Sequence, residues 1–160
     1  MGKGSTKHGD GATAPFRLQA APGHLLRRAQ QRAVELYMQE VGEDGPTPRQ
    51  FAVLLSIGQN PGVNQIDLVR LTGIDRSTMA ELIGRLIRRA LIRRRRTAAD
   101  GRANELHLTE AGAALVADVA PAVRRAQARI LAPLPAAERA GFIRALRRLA
   151  ETETDYTSAV

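Results

Sequence analysis

Apolar residues recur at helical spacing along most of this chain. Between Gly23 and about Val41 they fall three or four positions apart, which predicts one long amphipathic helix. A second apolar series begins at Phe51. It comes after Thr47-Pro48-Arg49-Gln50, where threonine at the N-cap, proline at N1 and glutamine at N3 are typical of a helix start. Asn60-Pro61-Gly62 predicts the end of this second helix.

Two short helices joined by a tight turn come next. Asn64 is a capping residue for the first of them, and Gly73 predicts its end. Asp75 is in position to cap the next helix, whose apolar positions follow i, i+3, i+4 and i+7 spacing. These positions are Met79, Leu82, Ile83, Leu86, Ile87 and Ala90. The pair is typical of a helix-turn-helix.

A short basic hairpin is predicted directly after the helix-turn-helix. Residues 91–97 form one run, Asp100-Gly101 is a hairpin-turn signal, and a second run ends at Leu108. A basic hairpin in this place is the wing of a winged helix.

Thr109-Glu110 predicts the start of a long alanine-rich helix, and Pro133 and Pro135 separate it from a last amphipathic helix. The outer helices carry apolar stripes that need a surface to cover them, and a second copy of the chain would supply it. We therefore predict a mainly α fold with a small β-wing, a winged helix-turn-helix with N- and C-terminal dimerisation helices. Residues 1–15 are predicted to be a disordered tail and 16–160 a single domain. Its expected parts are a winged-helix lobe at 48–109 and dimerisation helices at 23–42 and 110–152.

Composition narrows the possible functions. With three Phe, two Tyr, no Trp and no Cys in 160 residues, a β-sandwich or an RNA-stacking surface is disfavoured, and thiol chemistry is excluded. The three histidines have no clustered carboxylates at ligand spacing, and no phosphate-binding loop or nucleophile motif is present. We expect no enzyme activity, no metal and no cofactor. No membrane-length apolar run and no secretory signal is seen, so a cytoplasmic protein is expected.

Positive charge is concentrated in one stretch. The formal net charge is +8, and every cation except Lys3 and Lys7 is arginine. GC-rich coding sequence also produces arginine-rich chains, so composition alone decides nothing. Residues 76–96, however, hold eight arginines and one acid, Glu81, for a net charge of +7. A solvated helix face would mix both signs, and here only Glu81 and Arg85 do so at i,i+4. The stretch is typical of a nucleic-acid contact surface.

The wing and the residues after it resemble the MarR family of dimeric winged-helix regulators. The matching residues are Leu91-Ile92-Arg93-Arg94, Asp100-Gly101-Arg102 and Leu106-His107-Leu108-Thr109-Glu110-Ala111-Gly112. The resemblance implies a homodimer with recognition helices in the major groove and wing tips at the adjacent minor grooves. It also implies that Asp100 orients nearby arginines and that Arg102 enters the minor groove. Two departures are Ala90, where the family usually has glycine, and Gly101 at the tip.

The candidate DNA contacts lie on two of these elements. On the recognition helix they are Arg76, Ser77, Thr78 and Arg85, because residues near the start of such a helix meet base edges and arginine can bind guanine bidentately. For Ser77 and Thr78 the alternative is a capping role after Asp75. On the wing we expect Arg94 and Arg96, with Asp100 and Arg102, to contact double-stranded DNA. The other wing arginines can instead pair with Asp100, Glu105 or Asp67.

The first helix carries a second group of cations, His24, Arg27, Arg28 and Arg32. In the resembled family this helix lines a cleft, and Gly23 to Gln30 is similar to members that respond to aromatic acids or their thioesters. An anionic effector of that kind is one interpretation, and a solvated or dimer-interface face is the other. The sequence therefore predicts a repressor that binds a pseudo-palindromic operator and is released by an aromatic acid or coenzyme A thioester. A ligand-independent DNA-coating protein is the alternative, and a winged helix used for protein contact is disfavoured by the charge.

Overall fold

The computed structural model describes residues 15–96 and 104–151. The helices are α1 (Pro22–Val41), α2 (Pro48–Gln59), α3 (Gln65–Thr72), α4 (Arg76–Arg88), α5 (Glu110–Leu131) and α6 (Ala136–Glu151), and a 3-10 turn, Leu18–Ala20, precedes them. Strands β1 (Ile92–Arg96) and β2 (Asn104–Leu108) pair antiparallel. The predicted mainly helical fold with a two-stranded wing is confirmed. Residues 1–14 of the predicted tail, the wing tip at 97–103 and residues 152–160 lie outside the described residues.

The starts of α2, α3, α4 and α5 carry the capping residues that the sequence predicted. Thr47 Oγ1 accepts from Gln50 N at 3.3 Å, and Gln50 Oε1 accepts from Thr47 N at 3.1 Å, which completes a capping box. Asn64, Asp75 and Thr109 each accept a backbone N–H three residues later in the same way. The end of α3 is also as predicted, because Gly73 adopts a left-handed conformation with φ of 67°.

One apolar core holds the helix-turn-helix and the wing together. Its most buried members come from α2, α3, α4 and both strands: Val53, Leu54, Ile57, Leu68, Met79, Ile83, Leu86, Ile92 and Leu106. A smaller cluster of Tyr37, Phe51, Val123 and Ala126 joins α2 to α1 and α5. Within it, Tyr37 donates its hydroxyl to the Pro46 carbonyl at 2.9 Å, and burial raises the pKa of Tyr37 to about 12. The arginine-bearing lobe is thus fastened to the two long helices.

The long helices α1 and α5 are also linked by charge. The Glu40 carboxylate accepts from Arg125 Nε at 2.8 Å and from Arg129 Nη1 at 2.9 Å, and Arg129 Nη2 donates to Gln39 Oε1 at 3.0 Å. These two guanidinium groups hold the pKa of Glu40 below its usual value. By contrast, α6 has no buried residue.

Ala90, just after the end of α4, adopts the left-handed backbone conformation that glycine usually adopts at the C-terminus of a helix. Ala90 has φ of 54°, its N–H donates to Ile87 O at 2.9 Å, and Leu91 N donates to Leu86 O at 3.0 Å. This pair of hydrogen bonds is a Schellman motif. The sequence placed Ala90 on the apolar face of the helix, which is wrong: the residue lies past the last helical residue and is exposed. The left-handed C-cap is therefore present although the residue is alanine. Its Cβ strains the backbone in this conformation, which glycine would adopt without that strain.

Ala90→Gly is expected to stabilise the protein by about 1 kcal/mol, because glycine adopts this φ without the steric cost of a Cβ. Urea unfolding at fixed protein concentration would measure the change. Ala80→Gly, in the exposed middle of α4, is the matched control and should destabilise by about 1 kcal/mol. Equal losses of stability in both variants would contradict the role given to Ala90.

Candidate nucleic-acid interface

The face of α4 turned away from the core is polar and mostly basic. Met79, Leu82, Ile83 and Leu86 are buried on one side of the helix. On the other side, the exposed residues are Arg76, Ser77, Ala80, Glu81, Arg85 and Arg88. Because helix side chains three or four positions apart share a face, Ser77, Glu81, Gly84 and Arg88 form the central line of the exposed surface.

The first turn of α4 is organised by Asp75. Its carboxylate accepts from Ser77 Oγ at 2.7 Å and from Thr78 N at 2.9 Å, and these hydrogen bonds hold the pKa of Asp75 well below its usual value. Ser77 is exposed, whereas Thr78 is half-buried. The capping role that the sequence left open is present for both residues, and of the two hydroxyl side chains only that of Ser77 lies on the outer face.

The strand register divides the wing arginines between two faces. Arg94 pairs with Leu106 and Arg96 with Asn104, while Arg93 and Arg95 pair with His107 and Glu105. All four arginines are exposed. Of the partners suggested for Arg93 and Arg95, Glu105 and Asp67 form no ion pair with them: Glu105 contacts His107 Nε2 at 3.2 Å, and Asp67 contacts Arg70 at 3.6 Å. The third suggested partner, Asp100, stays a prediction. Asp100 and Arg102 lie outside the described residues and stay predictions.

The cations of α1 do not converge on one point. His24 is half-buried, whereas Arg27, Arg28 and Arg32 are exposed. Arg27 and Arg32 are five positions apart, which separates them by about 140° around the helix axis. Arg32 Nη1 pairs with Glu35 at 3.2 Å and lines an apolar groove of about 390 Å³ between α1, α5 and α6, together with Arg129. Arg27 and Arg32 thus belong to different surfaces.

Arg88 is a surface cation that the sequence-based candidates did not include. It is exposed on the central line of α4, seven residues after Glu81. Helical spacing alone could have found it, since seven residues return to nearly the same side of a helix. No local sequence signal could have found the ion pairs of Glu40 in α1 with Arg125 and Arg129 in α5, because these residues are far apart in the sequence.

Residues 15–96 and 104–151 offer neither a metal site nor a membrane span. No group of three or more His, Asp or Glu residues in these ranges could hold a metal ion. None of the helices described is long and apolar enough to cross a membrane.

Residues 44–103, which span α2 to the wing tip, match the model of the MarR family. The transcriptional regulator HosA of Escherichia coli is 30% identical over 129 residues, 81% of this chain and 94% of HosA. The chain belongs to the MarR family. Membership of the MarR family makes it a DNA-binding transcriptional regulator with a winged helix-turn-helix, and not an enzyme. It agrees with the resemblance carried by the wing residues.

Solved structures of MarR-type regulators superpose on most of the chain. PcaV from Streptomyces coelicolor, in complex with its natural ligand, has 38% identity and a TM-score of 0.80 over 88% of this chain and 99% of that one. BpsR from Bordetella bronchiseptica, whose DNA binding is regulated by 6-hydroxynicotinic acid, has 32% identity and a TM-score of 0.83 over 87% and 99%. The repressor CouR, bound to a 23-mer DNA duplex, has 31% identity and a TM-score of 0.77 over 86% and 100%.

Proposed function

We propose that this MarR-family regulator is a homodimeric repressor that binds a pseudo-palindromic operator and is released by a small anionic aromatic effector. One observation supports the DNA-binding half above all. The arginines of α4 and β1 are exposed, and none of them forms an ion pair with another described residue. Charge that is left unpaired on one surface is available to phosphate and to base edges.

In the proposed complex α4 lies in the major groove. Arg76, Ser77, Thr78 and Arg85 are the contacts near its exposed face, with Thr78 acting mainly through its cap to Asp75. Arg94 and Arg96 approach the DNA backbone from the wing, and Asp100 and Arg102 are assigned to the wing tip at the minor groove. The proposed DNA-binding lobe is 48–109, and the single apolar core that joins α2, α3, α4 and both strands supports this division.

A second copy of the chain is proposed to cover α1, α5 and α6. Large apolar side chains stand exposed on α1 and α6: Leu25, Leu26, Val34, Phe142, Ile143, Leu146 and Leu149. Five of them, Leu25, Leu26, Phe142, Leu146 and Leu149, line one groove between α1 and α6. Grouped apolar side chains on a surface are typical of an interface, because each buried square ångström of apolar surface contributes about 25 cal/mol. A two-fold dimer presents two recognition helices to half-sites one helical turn apart, which explains the need for a pseudo-palindrome.

Two observations support release by an aromatic anion: the cations of α1, and the ligands of two similar regulators. BpsR is regulated by 6-hydroxynicotinic acid and CouR was also solved with p-coumaroyl-CoA, both of them anionic aromatic molecules. The cations that α1 offers to such a ligand are His24, Arg27, Arg28 and Arg32. Because Arg27 and Arg32 lie on different surfaces of the helix and Arg32 is already paired with Glu35, we assign the ligand contact to Arg27. Release is then a population shift, since the effector need only prefer a dimer whose recognition helices are wrongly spaced for DNA.

Selection of DNA from a random duplex library, followed by titration of the selected site with aromatic acids and their thioesters, tests this function. We expect an enriched pseudo-palindrome and loss of binding on addition of at least one effector. No enrichment, together with a steep salt dependence on every sequence, would instead identify a DNA-coating protein. An enriched site with no response to any aromatic anion would overturn the effector half alone.

Arg27→Ala is expected to raise the effector concentration needed for half-release by about tenfold or more, because a hydrogen bond to a charged group is lost. Operator affinity without effector should stay within about twofold, since Arg27 lies outside the proposed DNA-binding lobe. Arg144→Ala, which removes an exposed arginine of α6, is the matched control. An unchanged effector response in Arg27→Ala would remove this residue from the proposed site.

A further inference from the structure

Glu81 is an acid in the middle of the arginine-rich face of α4. Residues 76–96 contain eight arginines and this one carboxylate. Glu81 is exposed, on the side of the helix opposite the buried Met79 and Ile83. Its place on the central line, between Ser77 and Arg88, puts it where the helix would come nearest to bound DNA.

The Glu81 carboxylate has no bonded partner in the described part of the protein. Arg85, one turn away, is the partner that the i,i+4 spacing offers, yet the Glu81 carboxylate forms no ion pair or hydrogen bond with another described residue. An intrahelical ion pair would have explained the acid as ordinary helix support. Without that pair, the Glu81 carboxylate faces solvent with no bonded partner among the described residues.

Such a charge opposes binding to the phosphate backbone. Non-specific affinity comes from cations that replace counterions at phosphates, and a carboxylate on the same surface is repelled by those phosphates. The major groove does offer it favourable partners, because the exocyclic amino groups there are donors. Glutamate accepts from cytosine N4, a donor that guanine and thymine do not present in the major groove. Adenine also presents a donor at N6, but its neighbouring N7 is an acceptor that repels a carboxylate, so cytosine is preferred.

The neighbours of Glu81 on α4 allow the close approach that a glutamate needs. Glutamate is shorter than arginine, so its helix has to lie deep in the groove for the carboxylate to reach a base edge. Ser77, Ala80 and Gly84, beside it on α4, have small or absent side chains, and Arg85, also one turn away, is long and flexible. A Cβ built at Gly84 would meet only the flexible end of Arg88, at 3.4 Å, so packing within the described chain does not require glycine there.

We infer that Glu81 is a specificity-determining residue that accepts a hydrogen bond from cytosine N4 at one position of each half-site and that lowers affinity for other sequences. The inference rests on the proposed function, in which α4 lies in the major groove.

Parallel DNA selections with the wild-type chain, Glu81→Ala and Glu81→Gln test it. The wild type should enrich cytosine at one position per half-site, and Glu81→Ala should lose that preference, with about tenfold less discrimination at that position. Glu81→Gln should move the preference toward adenine, which glutamine reads through N6 and N7. Affinity of Glu81→Ala for unrelated duplex should rise relative to wild type.

Glu43→Ala removes the same charge from an exposed loop between α1 and α2 and is the matched control. It should leave the enriched motif unchanged, and thermal unfolding should show that the Glu81 variants fold like the wild type. If Glu81→Ala enriches the same cytosine as the wild type, the inference is overturned while the proposed function stands. If the wild type enriches no motif, the proposed function fails, and the inference fails with it.

Discussion

Leu146→Glu is expected to convert the protein from a dimer to a monomer and to lower its operator affinity by about 100-fold or more. Leu146 lies on the exposed apolar stripe of α6, beside Phe142 and Leu149, and is 37% exposed in the isolated chain. A carboxylate in the proposed interface would lose its water without gaining a partner. Once the two recognition helices are no longer linked, each half-site has to be bound independently, which removes the gain in effective concentration.

Sedimentation equilibrium and operator titration would measure the two halves of this prediction. Ala137→Glu is the matched control, because Ala137 is exposed on the same helix but about 180° around its axis from Leu146. The control should remain a dimer. Circular dichroism should show a folded winged helix in both variants, since α6 contributes no residue to the buried core. A Leu146→Glu variant that remains dimeric and binds as the wild type would refute the proposed interface.

Gly112→Ala is expected to destabilise the protein by about 3 kcal/mol, a large share of the stability of a small domain. Gly112 is buried in the first turn of α5, against the backbone of Leu91. An added Cβ would lie far inside van der Waals contact of the Leu91 carbonyl oxygen and 3.0 Å from its carbonyl carbon. Because the obstacle is backbone, no side-chain rotation can relieve the clash.

The surrounding hydrogen bonds keep this junction from moving apart. Thr109 N donates to Leu91 O at 3.1 Å, and Thr109 Oγ1 donates to Ala90 O at 2.7 Å and accepts from Gly112 N at 3.0 Å. A shift of α5 away from Leu91 would lengthen these bonds. The junction therefore fixes the start of α5 to the segment that follows α4.

Urea unfolding of Gly112→Ala at fixed protein concentration would test this packing. Gly84→Ala, at a half-buried glycine in the middle of α4, is the control and should stabilise by about 1 kcal/mol. A Gly112→Ala variant within about 0.5 kcal/mol of wild type would show that the junction is looser than the geometry indicates.

The elements and their boundaries could be read from the sequence because they depend on near neighbours. Thr47, Asn64, Asp75 and Thr109 cap helices through hydrogen bonds to residues three positions away, and the buried face of α4 follows helical spacing. The error at Ala90 has the same origin. Helical spacing continues an apolar stripe, but it does not report that the chain has already left the helix in a left-handed conformation.

The candidate site was only partly predictable. The arginine concentration on α4 and β1 was visible from the chain, and so was the wing motif of the MarR family. The sequence could not show whether those arginines form ion pairs. Arg95 lies opposite Glu105 in the strand register, but side-chain direction decides the contact, and Glu105 contacts His107 instead.

The sequence by itself determined the order of helices and strands, their caps and the concentration of positive charge, since these are properties of residues within a few positions of each other. Only the tertiary structure decided that Glu40 joins α1 to Arg125 and Arg129 of α5, and that Gly112 abuts Leu91. It also decided that Glu81 has no partner among the described residues. These contacts join segments that are far apart in the sequence and that meet only when the apolar core packs. The periodicity of neighbouring residues does not determine which distant segments meet.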